Sequence, residues 1–250
     1  MRTHGNKEFW LAALRADGPA FRAAIADADP AAPVPSCPGW TVGTLTGHLV
    51  TQYRQVAEHV ARGVTSPPEE TGSAPPATAT VADFDERFAA LMTLFDTLDP
   101  ELPAWNWAPQ SKTAAFWQRR LAHETAVHRW DAQMAAGTTE PLEAKLAADG
   151  VTEVLDTWLP AGRGRCPVNR QGMVALEASD LEQTWHLRLR PGGGVALLDT
   201  DTLLDDDDLH ERVVAQGTAS DLQLALWGRV GFDLLLLTGE EELLRCLRVG

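Results

Sequence analysis

Apolar residues recur at steps of three and four through most of residues 7–137, the period of helices that turn one side to a core. The first such segment carries Trp10, Leu14, Phe21 and Ile25, with Gly18-Pro19 expected to break or kink it. A proline-rich stretch, residues 30–39, leads to Thr41, a candidate N-cap for a helix running to about Arg62. That helix repeats Val42, Leu45, Leu49, Tyr53, Val56 and Val60. Residues 63–79 read as an irregular, mobile connection. Thr80 with Asp83 has the spacing of a capping box and opens a third helix through Val81, Phe84, Phe88, Leu91, Phe95 and Leu98. Residues 111–137 read as a fourth amphipathic helix. Four such helices with no strand pattern between them predict a four-helix bundle.

From Pro141 the pattern changes. A helix over 141–159 precedes short strand-like runs at 173–177, 184–189, 195–198 and 211–215, separated by turn signals such as Pro191-Gly192-Gly193-Gly194. A helix from Ser220 to Trp227, an apolar run at 234–237 and a last helix with Leu243, Leu244 and Leu247 complete the chain. The expected class is α plus α+β: a helical bundle over 1–140, then a small α+β domain over 141–250.

Composition narrows the possible partners. The 250 residues carry a formal net charge of −14, a field that repels polyanions and argues against nucleic-acid binding. Part of that charge is the run Asp205–Asp208, expected as a solvated loop. Cys37, Cys166 and Cys246 are odd in number and never at CxxC spacing, which argues against a disulfide framework and fits a reducing cytoplasm. No stretch approaches the ~18 uninterrupted apolar residues of a membrane span, and the first ten residues lack the apolar core of a signal peptide.

Candidate chemistry lies in the fourth helix. Trp117, Leu121, Glu124, His128, Asp131 and Ala135 fall in one narrow sector, so ionisable groups share a stripe with core residues and need partners. Glu124 and His128, one turn apart, can hold one cation. His123 cannot join them, because five residues rotate it away from His128, so His123-Glu124 is not a zincin motif. His48, beside the apolar stripe of the second helix, is the best third ligand. Asp131 is a second acceptor that orients an imidazole, or a fourth ligand. The plainer reading pairs Glu124 with Arg120 or Arg129 and leaves His128 as a core histidine. Cys37, ahead of Pro-Gly, reads more readily as a packed loop residue than as a nucleophile, and Trp40 and Trp130 as packing. His59, His186 and His210 have no spacing that singles them out.

Three stretches resemble the mycothiol-dependent maleylpyruvate isomerase family, within the wider DinB-like superfamily of metal-binding bundles. They are Cys37-Pro-Gly-Trp-Thr-Val through His48-Leu, the run from His123 to Asp131, and Gly217 to Arg229. The last is similar to a helix of that family's C-terminal, sterol-carrier-like domain. Carried over by motif, the resemblance implies metal ligands at His48, Glu124 and His128. It departs at Thr44, where relatives often carry an acidic residue, a change expected to affect capping. It also implies a divalent metal, zinc first, and mycothiol as thiol cofactor. Glu124 and Asp131 then serve the chemistry. Arg229 and Arg163 (or Arg165) would be cationic anchors in an interdomain cleft.

The implied reaction adds a thiolate to the activated alkene of a small cis-enedione-like substrate. Rotation about the new single bond and thiol elimination then give the trans isomer. A thiol S-transferase would stop after addition. The rivals are a metal hydrolase that uses bound water and a non-catalytic regulatory module on the same fold. The expected partners are a small substrate and a low-molecular-weight thiol, with the protein a monomer or homodimer.

Overall fold

The computed structural model describes residues 6–69, 78–164, 170–192, 194–198 and 211–249. The chain divides into two compact units, Met1–Glu140 and Pro141–Gly250. The first is built on α1 (Lys7–Ala26), α2 (Val42–Ala61), α3 (Val81–Thr97) and α4 (Ala114–Ala136). The α1 and α2 helices each pack against both α3 and α4, closing a four-helix bundle. Its core includes Leu14, Phe21, Leu45, Leu49, Tyr53, Phe84, Leu91, Phe95 and Leu121, all fully buried.

The helix ends follow local chemistry. Thr41 caps α2: its side chain accepts from the Thr44 amide at 3.3 Å while Thr44 Oγ1 accepts from the Thr41 amide at 2.7 Å. The residue that departs from the family pattern thus serves the cap. Thr80 and Asp83 form the same reciprocal pair on α3. Gly137, at φ 71°, closes α4 in the left-handed conformation that glycine adopts without strain.

Two expectations need correction here. The α1 helix runs unbroken through Gly18-Pro19. Gly18 admits the Phe88 ring of α3: a Cβ there would stand 2.1 Å from Cζ of Phe88. Packing against α3 and α4 thus outweighs the missing proline donor. Nor is α4 amphipathic. Gln118, Arg120, His123, Thr125, Arg129 and Gln133 are buried along with its apolar stripe. Their polar atoms find internal partners in several cases. Arg129 donates to Asp17 of α1 at 3.0 Å and to Gln133 and the Glu140 carbonyl at 2.7 Å each, and Thr125 hydrogen-bonds Tyr53 at 2.8 Å.

The second unit opens with α5 (Ala144–Glu153), which passes into a π-helical turn, Val154–Trp158, and so is shorter than the expected helix. Five strands follow in the order β3-β2-β1-β4-β5: β1 (Gly172–Ala178), β2 (Gln183–Arg190), β3 (Gly194–Leu198), β4 (Arg212–Gly217) and β5 (Leu236–Gly239). Among the described strands only the β1–β4 pair is parallel. Register places Val174 and Leu176 between Leu187 and Trp185 on one side and Val213 and Ala215 on the other, giving one buried face. Helices α6 (Ala219–Leu226) and α7 (Glu242–Arg245) pack against β1 and β4, and α5 packs on α6. The apolar run expected at 234–237 divides into a 3₁₀ turn and β5.

Among the described residues no helix is long and apolar enough to cross a membrane. Cys37 is a buried free thiol, and Cys246 is disulfide-bonded, a pairing that sequence spacing did not foretell. Cys166, Arg165, His210, the acidic run 205–208 and residues 70–77 of the predicted mobile connection lie outside the described residues. Replacing Thr41 by Ala removes one half of the α2 cap. The substitution is expected to cost about 1 kcal/mol in urea denaturation with an unchanged m-value.

Candidate metal centre

The α2 and α4 helices, which pack against each other, bring His48, Glu124 and His128 together. One ligand atom from each lies within 4.8 Å of the other two. His48 Nε2 stands 2.7 Å and His128 Nε2 3.3 Å from the same carboxylate oxygen, Oε1 of Glu124. The two rings meet edge to face with centroids 4.9 Å apart. Two imidazole nitrogens and one carboxylate oxygen thus converge on one point, a donor set that suits a borderline divalent cation and leaves coordination positions open. The side chains are 21% (His48), 15% (Glu124) and 8% (His128) exposed, so the cluster is reachable from the His48 side.

Each α4 residue of the trio also has an anchor on its far side. The second carboxylate oxygen of Glu124, Oε2, accepts from Nη2 of Arg120 at 2.5 Å, one turn back on α4. His128 Nδ1 donates to Oδ2 of Asp131 at 2.8 Å. Asp131 is fully buried and also accepts from the Ser36 hydroxyl at 2.6 Å and the Cys37 thiol at 3.4 Å. With its Nδ1 proton fixed on Asp131, His128 presents Nε2 to the cluster. Of the two plain pairings considered for Glu124, the one with Arg120 is present, whereas Arg129 pairs with Asp17 instead. They stand beside the cluster and do not replace it.

Electrostatics follow from these contacts. Burial alone would raise the Glu124 pKa. The Arg120 charge and the hydrogen bonds from His128 and His48 outweigh it and hold this carboxyl well below the usual range. For His128 burial favours the neutral ring, but the bonds to Asp131 and Glu124 raise its pKa above 6.5.

The sequence reading missed how much the α1–α2 loop contributes. Ser36 and Cys37 reach Asp131 from it. Trp40, expected as packing alone, lies with its ring centroid 5.0 Å from that of His48 and 6.1 Å, stacked, from that of His128. The signal was present in the Cys-Pro-Gly-Trp motif, but no periodicity says what a loop faces. His123 is fully buried and is not one of the clustered ligands. In the second unit, half-buried Arg229 donates to the Trp227 carbonyl at 2.9 Å and lies over the Trp227 ring. Arg163 is exposed.

Comparison with known proteins fixes the family. A model described as the mycothiol maleylpyruvate isomerase N-terminal domain matches residues 11–133, and one described as the MDMPI C-terminal domain matches residues 145–245. The chain belongs to the mycothiol-dependent maleylpyruvate isomerase family. Two crystal structures of a mycothiol-dependent maleylpyruvate isomerase, one of them a point mutant, share the fold of this family member. The mutant superposes with a TM-score of 0.65 at 14% identity and the other with 0.55 at 15%, each over 94% of both chains. At that identity the likeness carries the fold. Among curated proteins a sequence comparison finds no significant match.

The raised His128 pKa gives a signed prediction for the metal-free protein. A group whose pKa rises on folding contributes stability that is full below its unfolded value, near 6.5, and lost as pH rises through the folded value. The stability difference between wild type and His128→Gln, measured by calorimetry after chelation, should therefore be widest near pH 5.5 and narrow towards pH 9. A gap that widens with pH would contradict the assignment.

Proposed function

We propose that the protein is a metal- and mycothiol-dependent enzyme of the maleylpyruvate isomerase or thiol S-transferase type, with His48, Glu124 and His128 as the metal ligands. The observation that carries this reading is the convergence of both Nε2 atoms on one oxygen of an ionised carboxylate, with His128 Nδ1 already committed to Asp131. These residues fit a divalent cation, zinc first among them, because their free donor atoms share a centre. Bound there, the cation would supply Lewis acidity, favouring the thiolate form of a small thiol at neutral pH.

The chain's own residues do the rest. Glu124 offers a negative oxygen without a deprotonation step, since its carboxyl is held ionised. Asp131 fixes the tautomer of His128 and through Ser36 and Cys37 ties the ring to the α1–α2 loop. The Trp40 ring stacks with His128 and lies tilted beside His48, keeping water from that side and raising the local strength of charge interactions. The substrate we infer is a small electrophile with an alkene conjugated to carbonyl groups. We place the reaction in the cytoplasm, which keeps a thiol cofactor reduced, with the Cys246 disulfide an exception to the thiol state expected there.

Elemental analysis of the purified protein should find about one divalent ion per chain, lost in the His48→Ala, His128→Ala double variant. With ion and thiol present, isomerisation of a cis-enedione acid should require both, and Glu124→Gln should lower kcat/KM by about a hundredfold or more. Turnover indifferent to added thiol would favour a hydrolase. A folded wild type that takes up no ion from zinc solution would overturn the reading.

A further inference from the structure

The two oxygens of Glu124 have different neighbours. Oε1 faces the imidazoles, and Oε2 is taken by the guanidinium of Arg120, a side chain only 5% exposed. An i, i+4 pair on a helix surface would be ordinary and weak. Here the arginine is buried beside a group we assign as a ligand, where a carboxylate with both oxygens available can take a cation through two bonds. Its charge also alters the balance of the site. A divalent ion brings two positive charges, Glu124 and Asp131 each remove one, and ligating imidazoles are neutral. Without Arg120 the centre sums to zero. With it, one positive charge is left over.

We propose that Arg120 is a positioning residue that occupies Oε2, so that Glu124 meets the ion through Oε1 alone, and keeps the centre cationic so that it selects an anionic ligand. The inference rests on the metal-centre reading above and adds the class of ligand the centre prefers: a thiolate over a neutral donor. A purely structural arginine would hold α4 together and leave this preference unchanged. An arginine that only steadied Glu124 would be needed for metal uptake itself.

Cobalt(II) separates these roles, because its visible bands report coordination number and its near-ultraviolet band reports thiolate binding. Wild type, Arg120→Lys and Arg120→Met are loaded with cobalt and titrated with 2-mercaptoethanol and, separately, with imidazole as the neutral ligand. The Met variant should take up cobalt and show weaker visible bands as the released carboxylate oxygen joins the ion. It should bind the thiol about tenfold more weakly, with imidazole affinity unchanged. The Lys variant, which keeps the charge, should recover most of the thiol affinity. Should the Met variant not melt cooperatively, Arg120→Gln replaces it with the same expected loss of thiol affinity. Wild-type spectra and thiol affinity in the neutral variant would overturn the proposal, as would a folded neutral variant that takes up no cobalt. Wild type that takes up no cobalt would instead bring down the metal-centre reading, and the proposal with it.

Discussion

A carboxylate kept ionised inside a helical bundle sets the terms for the first unit. Glu124 cannot hold a negative charge in that position unless donors surround it, and the surroundings comply: two imidazoles at one oxygen and a guanidinium at the other. Those donors come from α2 and α4, so the requirement fixes how these two helices face each other at this level. The His128 ring then needs its own acceptor, which Asp131 provides, and Asp131 in turn draws hydroxyl and thiol donors from the loop between α1 and α2. One buried charge thereby organises a chain of contacts across three parts of the bundle.

The burial of α4 on nearly all sides is the architectural counterpart. A helix covered all round is normally apolar, yet this one carries glutamine, arginine, histidine, threonine and aspartate into the interior. Such groups are tolerable where partners are placed for them, as with Arg129 on Asp17 and Thr125 on Tyr53. They also make the packing of α4 directional, since a rotation or slide breaks several hydrogen bonds together. A site that needs two imidazoles aimed at one point benefits from that rigidity.

Much of this was legible in the residues. The caps at Thr41 and Thr80 follow from local chemistry, and the helical period located α1, α2 and α3 because each buries a stripe at 3.6-residue spacing. It located α4 as well, although that helix is buried on nearly all sides. Glu124 and His128 stood out for the same reason, as ionisable groups on such a stripe. What escaped was non-local. Gly18 looked like a break because its role is to admit Phe88, a residue seventy positions away. Arg120 looked like a rival to the cluster because sequence shows that it can reach Glu124 but not which oxygen it takes. Trp40 and Ser36 sit in a loop, where no repeat indicates which way a side chain turns. In the second unit β1 to β4 match strand-like runs bounded by turn signals, while β5 was legible only as an apolar run. The parallel pairing of β1 with β4 joins segments far apart in the chain and leaves no local mark.

The α1–α2 loop is held by its own backbone. The amide of Cys37 donates to the Val34 carbonyl at 3.0 Å, that of Trp40 to Cys37 at 2.9 Å, that of Val34 to Trp40 at 3.0 Å and that of Val42 to Ala32 at 2.9 Å. A segment without helix or strand therefore has few conformations left to lose. Much of the ordering that a flexible loop would undergo when a ligand arrives has already been met during folding, so less configurational entropy is surrendered at association. Trp40 accordingly stands as a pre-set wall beside the imidazoles and need not close over them as a flap.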